Sequence, residues 1–78
     1  MKYAMLSNRG DGFKLFVAEG THAEAVDLIH KKYGEVLGLT PSQIANSPRM
    51  SNPTTNVKEL DSMDFSHVTG EQTVIECN

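Results

Sequence analysis

Phe13-Lys14-Leu15-Phe16-Val17-Ala18-Glu19-Gly20-Thr21-His22-Ala23-Glu24-Ala25-Val26 decides the fold, because within it the chain changes period. Phe13, Leu15 and Val17 alternate with Lys14, Phe16 and Ala18 in the period of two that defines a strand. Neither set is purely polar, so Phe16 is expected to lie under another element. Glu19-Gly20 breaks the strand, and Thr21 and Glu24 then stand at capping-box spacing, a hydroxyl for the N3 amide and a carboxylate reaching back to the cap. From His22 onward Ala25 or Val26, Leu28, Ile29 and Tyr33 recur at helical steps, while Glu24, Asp27, Lys31 and Lys32 point elsewhere. Acid early and lysine late suit the helix dipole. Gly34 is expected to stop the helix in the left-handed conformation.

Working outward toward the N-terminus, residues 2–7 form a second short apolar run, joined to the first by Asn8-Arg9-Gly10-Asp11-Gly12. Two glycines with flanking Asn and Asp tolerate positive φ, which makes this a hairpin turn. On the other side, Thr40-Pro41-Ser42-Gln43 repeats the capping logic with Pro at the first helical position, so a helix of one or two turns follows. It must end before Ser47-Pro48, since the residue ahead of proline is pushed out of the α region.

Residues 46–56 are polar, contain Pro48 and Pro53, and read as a long loop. Asn56 and Glu59 also have capping-box spacing, which suggests one helical turn over Val57–Leu60. Met63-Asp64-Phe65-Ser66-His67-Val68, the turn Thr69-Gly70-Glu71, and Gln72–Cys77 then read as a second hairpin. The order β-β-α-loop-β-β predicts an α+β fold, a four-stranded antiparallel sheet with the main helix packed on one face. Residues 1–78 are expected to make a single domain, since so short a chain has no room for a second core.

The formal charge is −3, and it is unevenly placed. Residues 1–34 carry Lys2, Arg9, Lys14, Lys31 and Lys32 against Asp11, Glu19, Glu24 and Asp27. Residues 58–78 set Lys58 alone against Glu59, Asp61, Asp64, Glu71 and Glu76. That balance argues against direct nucleic-acid binding, which needs cations to displace counterions from phosphate. It suits a protein partner with a basic surface, including one that itself binds nucleic acid. The opening residues are too quickly polar for a signal peptide and no run has the length of a membrane span, so a cytoplasmic location and no membrane association are expected. Cys77 is the only cysteine, which removes disulfides and cysteine-rich zinc sites as stabilisers of a small core and leaves association, including a homodimer, as the remaining route.

No catalytic constellation emerges. His22, His30, His67 and Cys77 match no metal-ligand spacing, and His22 and His30 stand two helical turns apart. A Cys77–His67 pair would need paired strands in the last hairpin, yet it lacks an orienting third group and sits beside a fraying end. Gly10-Asp11-Gly12 leads into a strand, so it is a turn and not a phosphate cradle. Arg9-Gly10-Asp11 spells an adhesion-receptor tripeptide, which chance explains where no secretory signal precedes it. The expectation is therefore no enzyme activity, no cofactor and no metal.

Recognition is expected on three surfaces: the hairpin tip with Arg9 and Asp11, the polar loop with Arg49 and Met50, and the acidic segment with Asp64, Glu71 and Glu76. Residues 11–25 are similar to the hairpin-to-helix entry of HicB-type antitoxins, where a Thr-x-x-Glu-Ala step opens the helix, here Thr21, Glu24 and Ala25. The chain departs from that family in lacking its Pro and Gly-Cys elements between strand and helix. In size, acidic tail and absence of catalytic groups it also resembles small phage-encoded inhibitors such as anti-CRISPR proteins, a likeness of format that carries no shared motif. These features point to a non-catalytic inhibitor or adaptor. The alternative is an oligomeric small-molecule or nucleotide-binding module with its site between subunits, or an antitoxin-like protein.

Overall fold

The structure, a computed structural model, describes residues 1–7, 12–45, 56–66, 68 and 70–78. It is an α+β arrangement: a four-stranded sheet with one main helix against it. The first two strands, β1 (Lys2–Ser7) and β2 (Phe13–Glu19), pair antiparallel with Met5 opposite Phe16 and Leu6 opposite Leu15. The tip of their hairpin, including Arg9 and Asp11, lies outside the described residues.

Helix α1 (His22–Leu37) begins as its sequence requires. Thr21 Oγ1 accepts from the Glu24 N–H at 3.2 Å, and Glu24 Oε1 accepts from the Thr21 N–H at 3.2 Å. Its inner stripe, Ala25, Ile29 and Tyr33, is fully buried against Met5, Phe16 and Ala18, and Phe16 meets Tyr33 edge to face at 5.7 Å. The cover expected over Phe16 is this helix.

The helix does not stop at Gly34. That glycine is buried inside it, and the left-handed residue is Gly38 at φ 65°. The Leu39 N–H donates to Gly34 O at 2.8 Å and the Gly38 N–H to Glu35 O at 3.4 Å, the paired bonds of a Schellman end. Leu37 and Leu39 pack against the core, so the extra turn is stabilised by apolar burial that a stop at Gly34 would forgo. A short helix α2 (Pro41–Ala45) follows, capped at both places the sequence indicated, with Thr40 N–H to Gln43 Oε1 at 2.8 Å and Gln43 N–H to Thr40 Oγ1 at 3.2 Å.

The second half of the chain departs from expectation. Residues 57–60 are not a helical turn: Val57 is buried, and Lys58–Glu59 form a two-residue strand β3 on the outer side of β1, antiparallel to it. A 3₁₀ turn at Leu60–Ser62 follows and rests against β1.

The described residues of 63–68 contribute no strand either. The Met63 N–H donates to Leu60 O at 3.2 Å, the Ser66 N–H to Asp64 Oδ1 at 2.9 Å, and the Val68 N–H to Phe65 O at 3.0 Å. These local turns take up the backbone groups that a strand would have offered to a ladder. The last strand, β4 (Gln72–Glu76), has no hairpin partner among the described residues and pairs with the free side of β2, in parallel, with Phe16 opposite Ile75 and Val17 opposite Glu76. The sheet is mixed, not antiparallel, and its order is β3-β1-β2-β4.

Candidate functional site

The parallel register of β4 builds the surface of interest. Side chains alternate across a strand, and Phe16, Ala18 and Ile75 face α1, so Leu15, Val17, Glu19, Val74 and Glu76 face away from it. Ala4 and Leu15 on this far face are buried, whereas Val74 is 56% exposed. At the end where β2 finishes, the far face opens into a groove of about 390 Å³ lined by Lys2, Val17, Glu19, Gly20, Glu76 and Asn78. Lys2 stands opposite Glu19 across β1 and β2, and Glu76 stands opposite Val17 across β2 and β4. Glu19 and Glu76 are both exposed.

Beyond the end of β4 the pairing continues by two devices. The Cys77 N–H donates to Val17 O at 2.8 Å. The Asn78 side chain then pairs with the backbone of Glu19 as a second peptide group would: the Glu19 N–H donates to Asn78 Oδ1 at 2.6 Å, and Asn78 Nδ2 donates to Glu19 O at 3.0 Å. This clamp holds the end of β4 beside β2 and forms one wall of the groove.

The acidic residues singled out from sequence are separated by the fold. Asp64 is exposed and holds the Ser66 N–H in a local turn. Glu71 is exposed just before β4, at the hairpin end of the sheet, where its carbonyl lies 3.7 Å from the position a Cβ on Gly12 would take. Glu76 lies five residues further along, roughly 16 Å away at strand rise, in the groove with Glu19. The structure thus brings Glu76 together with Glu19, a residue the sequence reading left out. No local signal could have found that pair, since only the long-range register of β4 on β2 creates it. Arg49 and Met50, like Arg9 and Asp11, lie outside the described residues.

The other groups with chemical potential have structural roles. His22 Nε2 lies 3.0 Å from Val57 O, so the ring N–H donates there, and the ring packs edge to face on Tyr3 at 5.2 Å. It ties the start of α1 to the entry of β3. Burial pushes the Cys77 thiol above its ordinary range, with nearby Lys32 and the Val17 backbone opposing more weakly, which favours the unreactive protonated form. His67 lies outside the described residues, and among the described residues β4 pairs with β2 alone. Among the described residues no group of three or more His, Cys, Asp or Glu side chains is placed to share a metal ion, and no helix is long and apolar enough to cross a membrane.

No family model matches this chain, and neither the curated proteins nor the solved structures provide a significant match.

Proposed function

We propose that this chain is a non-catalytic protein-binding module, an inhibitor or adaptor, that meets a basic surface of a protein partner with the acidic end of its sheet. The observation carrying this reading is the exposure of Glu19 and Glu76 on neighbouring strands, beside a groove of about 390 Å³ whose lining holds two carboxylates against one cation, Lys2. The chain's net charge of −3 favours the same partner chemistry. Complementary charge raises the encounter rate and suppresses wrong partners more than it adds affinity.

The test is capture of the partner from host lysate by tagged protein, quantified against the variant Glu19→Lys/Glu76→Lys. Reversal of both charges is expected to cut capture by about tenfold or more, and added salt to weaken the wild-type complex within the range where the Debye length shrinks from about 10 Å to about 3 Å. Capture indifferent to both charge and salt refutes the reading.

A further inference from the structure

We infer that the open side of β4 is a strand-addition site, which takes an extended, lysine- or arginine-bearing segment of the partner as a fifth strand. This rests on the protein-binding reading and names the part of the partner that is held. The Cys77 N–H points to Val17 O, so Cys77, Ile75 and Thr73 turn their backbone groups toward β2. In a regular strand the alternate residues, Gln72, Val74 and Glu76, turn theirs the other way. β4 ends the sheet order, so among the described residues no strand pairs with that side.

Edge strands in soluble proteins are commonly blunted by lysine, proline or a bulge. β4, Gln72-Thr73-Val74-Ile75-Glu76, has neither lysine nor proline, and it holds an unbroken register with β2. Thr73 and Val74 are exposed at its centre. The opposite edge, β3, offers only two residues. One edge of this sheet is therefore long enough to template another strand, and it is the one next to the acidic groove.

Charge selects the occupant. A second copy added antiparallel about Val74 would set Gln72 of each chain opposite Glu76 of the other, and Glu71 of each opposite Cys77 of its neighbour, on the other face of the sheet. Each end of the shared ladder would then gather two carboxylates with no basic residue from either β4 strand to offset them, whereas a basic segment would supply the missing charge. A basic segment meets Glu71 at one end and Glu76 at the other with opposite sign. Backbone bonds supply the affinity and the flanking charges the preference, as in other β-augmented complexes.

The probe is a synthetic seven-residue peptide alternating lysine with valine and threonine, with a second peptide in which glutamate replaces lysine. Both are titrated into the ¹⁵N-labelled full chain. The basic peptide is expected to shift the Gln72, Val74 and Glu76 amides saturably and slow their exchange, while the acidic peptide does neither. Val74→Pro deletes an outward donor without removing a bond to β2 and should weaken the basic peptide about tenfold. Val74→Lys, which keeps the backbone donor, tests the same edge by charge repulsion and should also weaken it. Protection of the inward Thr73 and Ile75 amides establishes that each variant is folded.

Shifts elsewhere on the chain, equal response to the acidic peptide, or full binding by both Val74 variants overturn the strand-addition site. So does a concentration-dependent change at these amides without peptide, which would make a second copy the occupant. If Glu19→Lys/Glu76→Lys abolishes partner capture while both Val74 variants capture normally, the protein-binding reading stands and strand addition falls.

Discussion

Replacing Tyr33 with phenylalanine should stabilise this protein. Tyr33 is wholly buried, its ring packs against Phe16, and its hydroxyl finds no hydrogen-bond partner among the described residues. A hydroxyl taken out of water without a replacement bond costs about 1–3 kcal/mol, and phenylalanine removes that cost while keeping the ring and its edge-to-face contact. The expected gain is about 1 kcal/mol, at the lower end of that range because the surroundings relax around a lone oxygen. For a domain of this size 1 kcal/mol raises the melting temperature by roughly 4–8 °C. It also moves the urea midpoint upward by roughly 0.3–1 M at unchanged slope. Urea titration followed by far-ultraviolet circular dichroism reads both variants directly. A normally bonded buried tyrosine behaves in the opposite way, losing about 0.5–1.5 kcal/mol on the same change. A lowered midpoint for Tyr33→Phe would therefore show that the hydroxyl has a partner and refute the reasoning.

Two further outcomes concern the ends of α1. Gly38→Ala should destabilise by about 1–2 kcal/mol, because an alanine at φ 65° meets the left-handed penalty even though no atom lies within 4 Å of the added Cβ; Gly38→Asn should lose much less, and equal losses in urea titration would place the penalty elsewhere. The Glu24 carboxyl is held below its ordinary value of 4.5 by the Thr21 backbone N–H first and the Thr21 side chain second. Its folded pKa is thus lower than its unfolded one, so its contribution is complete above about pH 4.5 and fades as pH falls through the folded value. Glu24→Gln keeps an acceptor for the cap but cannot titrate, so its urea midpoints should fall less steeply below that pH than those of the wild type.

The first half of the fold was legible because its determinants are local. The period change between Ala18 and His22, the two capping boxes and the glycine-bearing hairpin all act within a few residues, and each fixes its own element. Gly34 misled because a glycine near the end of an amphipathic run has two meanings, a left-handed stop or a buried residue inside the helix. Only the packing of Leu37 and Leu39 on the core distinguishes them. The second half misled for a different reason. Met63–Val68 has the alternation of a strand, but Asp64 accepts from the Ser66 N–H in a local turn instead. With no strand among the described residues of 63–68, the partner of β4 is set by which sheet edge is free and by where Ile75 can bury beside Phe16, both of which are facts about tertiary structure. The groove inherits this: Glu19 and Glu76 are 57 positions apart in the chain, and their meeting depends wholly on that register.

The same register puts the proposed recognition edge at the part of the sheet that is least secured by local contacts. β4 closes a long loop before any of its bonds to β2 can form, and such non-local pairing bears its entropic cost ahead of its reward. Its hold on the sheet comes from the parallel ladder, the half-buried Ile75 and Cys77, and the Asn78 side chain bonded to both backbone groups of Glu19. Elements held this way open more readily than the hairpin and helix they join. A partner strand added to the outer side of β4 would bind the docked state and not the opened one, so it must stabilise the docking by the same free energy that docking contributes to its affinity. Loosening the Asn78 clamp should consequently weaken partner binding even though Asn78 lies past the last residue the partner strand would touch.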